Sequence, residues 1–370
     1  MSLEKEIYLD ASSTTPIHSR VIKEVSNIMQ LGLGNPSSIH QKGISASEVL
    51  EKSRSNISSF FNCLPEEIIF TSGATESIHL ALVGACLTMS PGRIIISDIE
   101  HPAVVNTCLY LEELGWSLEK WPVTSKGKVD MSIIGEILSY PTKIVSMIWA
   151  QSEIGTIQPL EEIAIQCRDR GIILHTDASQ IVTDNIIDWK KQKPFLLSAS
   201  AHKFQGPKGI GLLLLRKNSK LSLRPIVPGG SQEFGIRPGT ESPELAAGMA
   251  KALEVLTTEK YSYNTHQLDS YNYVKTLTHV LRTNLLRIPN LIFTGDEYTR
   301  KNGHISFVVS SNSGIPIPGR DIIRLLSEHG IYASSGTACN SGKTTDSSVL
   351  KAIGLPTKFC QSGIRLSIGP

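Results

Sequence analysis

The sequence is short of several things at once. Its six cysteines, at positions 63, 86, 108, 167, 339 and 360, form no CxxC pair and find no histidines at zinc-ligand spacing, so neither disulfides nor a metal site are expected. It has no excess of one charge: 36 Lys and Arg against 34 Asp and Glu leave a formal net charge of +2 and no basic stripe, which argues against a nucleic-acid partner. Long apolar runs are missing too. Stretches such as IGLLLLR, 210–216, are strand-sized, and no membrane span is expected. The opening MSLEKEIYLD has neither a basic-then-apolar signal nor an Arg- and Ser-rich transit character, which makes the cytoplasm the expected compartment. Internal repeats, heptads and low-complexity tracts are absent.

What remains is the composition of an ordinary enzyme, 370 residues that are 40% hydrophobic and 19% charged, enough for a large domain with a smaller one attached. From about 67 to 216, short β-branched runs alternate with helical patterns. EEIIFTSG, RIIISD, TKIVSMIW, IILHTD, FLLSAS and GIGLLLLR read as buried strands; ATESIHLALVGACL, HPAVVNTCLYLEELG and LEEIAIQCRDRG read as the helices between them. The alternation predicts an α/β domain with a mostly parallel sheet. In such sheets ligands collect at the carboxyl ends of strands, where this chain places SGATE, EH, DASQ and AHK. Beyond 257 the texture changes to a polar helical segment, YSYNTHQLDSYNYVKTLTHVLRTNLLR, then NGHISFVVSS, RDIIRLLSEHG and IYASSGTACN, which reads as an α+β domain. The expected division is a large domain over 16–256 and a small one built from 1–15 and 257–370.

The strand ends carry the chemistry. Lys203 lies in SASAHKFQGPKG, where an apolar run delivers a lysine beside a histidine and serines before breaking at Gly206 and Pro207. A lysine used as a nucleophile must be desolvated or placed near positive charge. TSGATES sets Gly73 and Thr75 at a strand-to-helix junction suited to a phosphate, although Ser72 or Thr75 as an ordinary helix cap fits the same residues. Asp177 ends an apolar strand one crossover from Lys203; it reads either as a turn-capping carboxylate or as the partner of a protonated pyridine nitrogen. His101 precedes a Pro-initiated helix and reads either as a cap neighbour or as a ring that stacks on a cofactor and moves protons. Cys63, Cys86, Cys108 and Cys167 sit in or beside apolar helical patterns and read as small buried hydrophobes. Cys339, in SSGTACNSGKTTDSS, is instead expected on a mobile polar loop, its thiol exposed.

Taken together and in order, YLDASSTTP, GNPSSIH, FTSGATES, EHPAV, SEIGTIQP, HTDASQ, SASAHKFQGPKGIG, IRPGTES, SSGTACNS and IRLSIG resemble the cysteine desulfurases, the NifS/IscS (group I) branch of class V pyridoxal-phosphate enzymes. The resemblance spans nearly the whole chain. It implies the type I, aspartate-aminotransferase-like fold of pyridoxal-phosphate enzymes, with Lys203 as the Schiff-base lysine, Asp177 on the pyridinium nitrogen, Gln180 on the phenolic oxygen and His101 stacked on the ring. Ala74, Thr75, Ser200 and His202 would hold the phosphate, and Thr240 would reach it from a neighbouring subunit of a homodimer. Arg365 would clamp the carboxylate of L-cysteine in a bidentate pair, with Asn35 and Ser152 beside the substrate. Cys339 would take the sulfur as a persulfide and pass it to an iron–sulfur scaffold or another acceptor protein, with Gly336 and Gly342 permitting the swing.

Two departures stand out. Ser152 occupies the place of an asparagine in that motif, so part of the substrate clamp is expected to be lost or water-mediated. The family continues for a helical stretch where this sequence ends at Pro370, which leads to the expectation of a truncated or differently closed small domain with Arg365 near a fraying end. Left open are a related lyase acting on cystine, cysteine sulfinate or selenocysteine, an aminotransferase, and an impaired paralogue serving as a binding subunit.

Overall fold

The six apolar runs between 67 and 216 all become strands of one seven-stranded sheet in the computed structural model, which describes residues 6–184, 187–192, 194–217, 221–263, 266–336 and 346–370. In space the strands run Ile68–Thr71, Gly211–Leu215, Leu196–Ser200, Ile173–Asp177, Thr142–Ile148, Arg93–Ser97, Ser117–Trp121. All pair in parallel except Gly211–Leu215, antiparallel to both neighbours. The seventh strand, SLEKW, escapes the sequence pattern because it is an edge, with one fully buried residue, Trp121.

Successive side chains of a strand point to opposite faces, and the sequence obeys this at single-residue resolution. Ile94 and Ile96 join one core with Ile78, Leu82 and Val104 of the helices Ala74–Cys86 and Pro102–Glu113. Ile95 joins the other, with Ile57, Phe61, Ile163 and Leu253 from three helices on the far side. Burial on both faces is why these strands read as continuous apolar runs.

A second sheet, Leu291–Phe293, His304–Val309 and Gly363–Ser367, is antiparallel throughout. The helices Ser270–Leu285 and Gly319–Glu328 pack Leu281, Leu285, Ile322 and Ile323 against its Ile305, Phe307 and Leu366. The segment expected to be helical from Tyr261 onward instead begins as paired strands, Lys260–Tyr263 and His266–Asp269, and turns helical only at Ser270, where the Asp269 side chain accepts the Asn272 N–H at 2.8 Å. Tyr and Thr favour strand geometry, and the aspartate supplies the helix start.

The N-terminal stretch bridges the two sheets. Ile7–Tyr8 pair in parallel with Ile331–Tyr332, Asp10 bridges to Ser367, and the Thr15 N–H then bonds the His202 carbonyl at 2.9 Å. Residues 10–15 thus lie across the place where the parallel strands end.

Candidate active site

Two adjoining cavities, of about 580 and 540 Å³, open at those strand ends. Ala74, Thr75, Asp177, Ser200 and His202 line the first; His101, Ser152, Gln180 and Lys203 line both; Arg365 lines the second. Most of the residues singled out in the sequence therefore line one cavity, and Arg365 lines the one beside it.

Lys203 closes a short turn, Ala201–Lys203, at the end of Leu196–Ser200. Its Nζ donates to the carbonyls of Ser12 and Ser13, both at 2.7 Å, so the N-terminal stretch aims the amine. Asp177 is 5% exposed, and its Oδ1 accepts the Ser179 N–H at 2.9 Å. It makes the turn bond of a capping aspartate and also lines the cavity. Gln180 spends one Nε2 hydrogen on the Ser12 carbonyl at 2.9 Å.

His101 is itself the N-cap of Pro102–Glu113, its Nδ1 accepting the Ala103 N–H at 3.1 Å. That bond places the proton of the neutral ring on Nε2. Burial, with the positive charge of Lys203 assisting and Asp177 opposing, holds its pKa below the ordinary value and keeps the ring neutral. The ring is therefore a hydrogen-bond donor at Nε2. The expected proton-accepting role requires the cap bond to break first.

At the phosphate end, Ala74–Cys86 starts behind Gly73, which has no side chain to cap it, so neither Ser72 nor Thr75 is the cap. The first-turn N–H groups of a helix lack internal partners and favour an anion. Gly211 lets this corner close, since a Cβ there would stand 2.6 Å from the Gly73 Cα. Burial works against the Glu76 carboxylate, yet hydrogen bonds from Arg237 (2.8 Å) and from Ser72 (its N–H, at 2.5 Å) outweigh it and hold its pKa below the ordinary value. Burial and then the charges of Lys203 and Lys208 lower His202 to about 4, so it too is a neutral donor or acceptor.

This set fits pyridoxal phosphate: an amine, a carboxylate one strand away, a planar ring on the wall, and a helix start with Ser200 and His202 for a phosphate. Two buried hydroxyls without partners among the described residues, Ser12 Oγ and Ser179 Oγ, belong to residues of these walls.

Arg365 does not fray. It sits in Gly363–Ser367, 8% exposed at its side chain, and donates from Nη2 to Asp10 Oδ1 at 2.7 Å and Ser13 Oγ at 2.5 Å. Nη1 donates to the Ser152 carbonyl at 3.0 Å, while Nε is buried with no partner among the described residues. The bidentate fork expected for a substrate is thus already in use. His304, fully buried, donates from Nε2 to the same carbonyl at 3.2 Å, so the main chain at Ser152 makes the Arg365 contact and leaves the short side chain on the wall.

The sequence missed Asp10, Ser12 and Ser13, whose only signal was membership in YLDASSTTP, and two buried carboxylates. Glu100 bonds Ser97 Oγ (2.5 Å) and the Ile148 N–H (2.8 Å), and burial pushes it up to about 8. Glu153 is raised by burial, against the pull of Ser347 and Arg365; it accepts the Ser347 hydroxyl at 2.6 Å and packs where Gly336 leaves no room for a side chain. Cys339 and Gly342 lie outside the described residues. Asn35 and Thr240 are exposed and lie away from both cavities; Asn35 Oδ1 accepts the Ser37 N–H at 2.9 Å. Cys86, Cys108 and Cys167 are buried as expected, and Cys63 is half-buried. Among the described residues there is no cluster suited to a metal and no helix long and apolar enough to cross a membrane.

Residues 7–370 match the aminotransferase class-V family. The chain is 37% identical to the mitosomal cysteine desulfurase of Encephalitozoon cuniculi, over 99% of this chain and 82% of that one. It is equally 37% identical to the cysteine desulfurase IscS of Methanosarcina thermophila, over 99% and 87%. A solved NifS-like protein superposes with a TM-score of 0.87 at 30% identity, over 99% of this chain and 94% of that one. Sequence, fold and the pyridoxal-phosphate pocket agree, and the chain belongs to the aminotransferase class-V family, among its cysteine desulfurases.

Proposed function

We propose that this protein is a cysteine desulfurase: L-cysteine and the Cys339 thiol become L-alanine and a Cys339 persulfide, one C–S bond breaking as one S–S bond forms. The observation that carries the reading is the meeting of Lys203, Asp177, His101 and Arg365 in adjoining cavities. When bound, pyridoxal phosphate supplies an electron sink that weakens bonds at the substrate Cα. Lys203 would hold it covalently, Asp177 would keep its ring nitrogen protonated, and the start of Ala74–Cys86 with Thr75, Ser200 and His202 would hold its phosphate. Arg365 orients the substrate carboxylate. An ordinary thiol, pKa ~8.5, is only about 3% ionised at pH 7. The neutral His101 ring, donating from Nε2, favours a thiolate on that wall without taking its proton.

The exposed position of Thr240, on a segment tied to the phosphate helix through the Arg237–Glu76 ion pair, supports a homodimer in which Thr240 serves the partner's site. The two sheets with separate cores support a large domain over 16–256 and a small one from 1–15 and 257–370. An ordinary soluble composition supports a cytoplasmic setting, and an iron–sulfur scaffold or another protein thiol as acceptor follows from a persulfide product. The deciding experiment compares wild type and Cys339→Ser for alanine formation and protein persulfide with L-cysteine. Wild type is expected to make both and the variant neither; sulfide release from cysteine that survives the substitution sinks the persulfide mechanism and points to a lyase.

A further inference from the structure

A guanidinium offers a carboxylate two parallel N–H pairs, Nε with Nη2 and Nη1 with Nη2, and each needs a hydrogen on Nη2. In Arg365 Nη2 already donates to two acceptors, Asp10 Oδ1 at 2.7 Å and Ser13 Oγ at 2.5 Å. Either bridging pair must therefore draw on an Nη2 that is engaged. Among the described residues Nε is buried without a partner, a donor that costs stability until something accepts from it.

The two residues on Nη2 differ in place and in charge. Ser13 lines both cavities, whereas Asp10 is part of neither wall. Asp10 is the ionic partner of Arg365. Ser13 is a neutral hydroxyl with a second bond of its own, donating to Asp10 Oδ1 at 2.8 Å. A charge-assisted bond to a carboxylate is about twice as strong as one to a neutral hydroxyl. An arriving carboxylate therefore gains most by replacing Ser13 Oγ as the acceptor on Nη2, bridging Nε and Nη2, and leaving the ion pair behind the arginine intact.

We infer that Ser13 is an affinity-setting residue, its hydroxyl holding the place of the substrate carboxylate on Arg365 until substrate displaces it, and that Asp10 is the positioning residue that keeps the guanidinium aimed during the exchange. The inference deepens the desulfurase reading and rests on it for the identity of the carboxylate. It also marks the N-terminal stretch as part of the substrate site, since Ser13 presents its own carbonyl to Lys203.

The test uses the holoenzyme in three forms, wild type, Ser13→Ala and Asp10→Asn, with L-cysteine kinetics and calorimetric titration of L-alanine and of cysteamine, which lacks the carboxylate. Ser13→Ala is expected to lower KM for cysteine and Kd for L-alanine roughly three- to tenfold, the scale of one hydrogen bond no longer displaced, with the effect in KM rather than in kcat. Asp10→Asn is expected to raise both by about tenfold or more, because the arginine loses its ionic anchor. Cysteamine binding should be the same in wild type and Ser13→Ala. A KM and Kd in Ser13→Ala that are unchanged or raised overturn the inference, as does a cysteamine shift equal to the alanine shift; a lowered KM in Asp10→Asn overturns the assignment of the anchor. If wild type fails to turn over cysteine, the desulfurase reading falls, and the L-alanine affinities alone decide on Ser13.

Discussion

The two ends of the active site are built in different ways. The cofactor end comes from strand ends of one sheet: Asp177 and Ser200 end adjacent strands, Lys203 lies on the turn after the second, and Gly73–Thr75 on the strand-to-helix turn after the edge strand Ile68–Thr71. The carboxylate end is assembled from pieces far apart in the chain, with Arg365 bonded to Asp10 across 355 residues and to Ser152 across 213. The first kind of site follows from βα units, whose strand ends always converge on one edge. The second depends on how the small sheet seats against the large one, and a hydroxyl such as Ser13 enters it only through that docking.

The contrast is broken or sharpened by separating the two ends. Lys203→Ala should produce the largest effect, a loss of turnover of at least ~10⁴-fold together with the visible absorbance of bound cofactor. Appreciable turnover in that variant removes Lys203 from the chemistry. Arg365→Lys should act at the other end alone, raising KM for cysteine by roughly 30- to 100-fold while the cofactor absorbance stays, because an ammonium cannot reproduce the fork that meets Asp10, Ser13 and the Ser152 carbonyl. Loss of the cofactor signal in Arg365→Lys means that the ends are one cooperative unit.

The smallest effect concerns the floor beneath the cofactor end. His175, fully buried, bonds Ser146 Oγ at 2.8 Å and Ser198 Oγ at 2.9 Å, and burial lowers it to about 4, with Asp177 pulling the other way. A histidine whose folded pKa is depressed binds protons more readily in the unfolded chain. Its contribution is intact above the ordinary value near 6.5 and is lost as the pH falls toward 4, by up to about 3 kcal/mol at the lower limit. Thermal melts of wild type should show Tm falling between pH 6.5 and 4, with a shallower fall in His175→Asn; parallel profiles for the two proteins refute the assignment to His175.

Legibility in the sequence followed the same division. IILHTD and FLLSAS announced both their strands and the residues at their ends, because parallel strands buried on two faces leave unbroken apolar runs and the polar residue that stops the run marks the cavity. SLEKW was not legible, since an edge strand shows no such run. The start of the small domain was misread as helix because YSYNTHQLD carries no clear period, and pairing between Lys260–Tyr263 and His266–Asp269 decided it. For His101 the sequence identified the wall residue but not its tautomer, which one hydrogen bond from the Ala103 N–H sets.

By itself, the sequence determined the α/β alternation, the edge at which ligands gather, and the lysine and aspartate that stand there, because each is fixed by local periodicity or by residue type within a motif. Only the tertiary structure decided that residues 10–15 lie across the strand ends, that two of their carbonyls hold Lys203, and that the fork of Arg365 is already engaged. Those contacts join segments whose local sequence favours no particular partner. Their geometry appears only when the small sheet, carrying Arg365, is packed beside the large one.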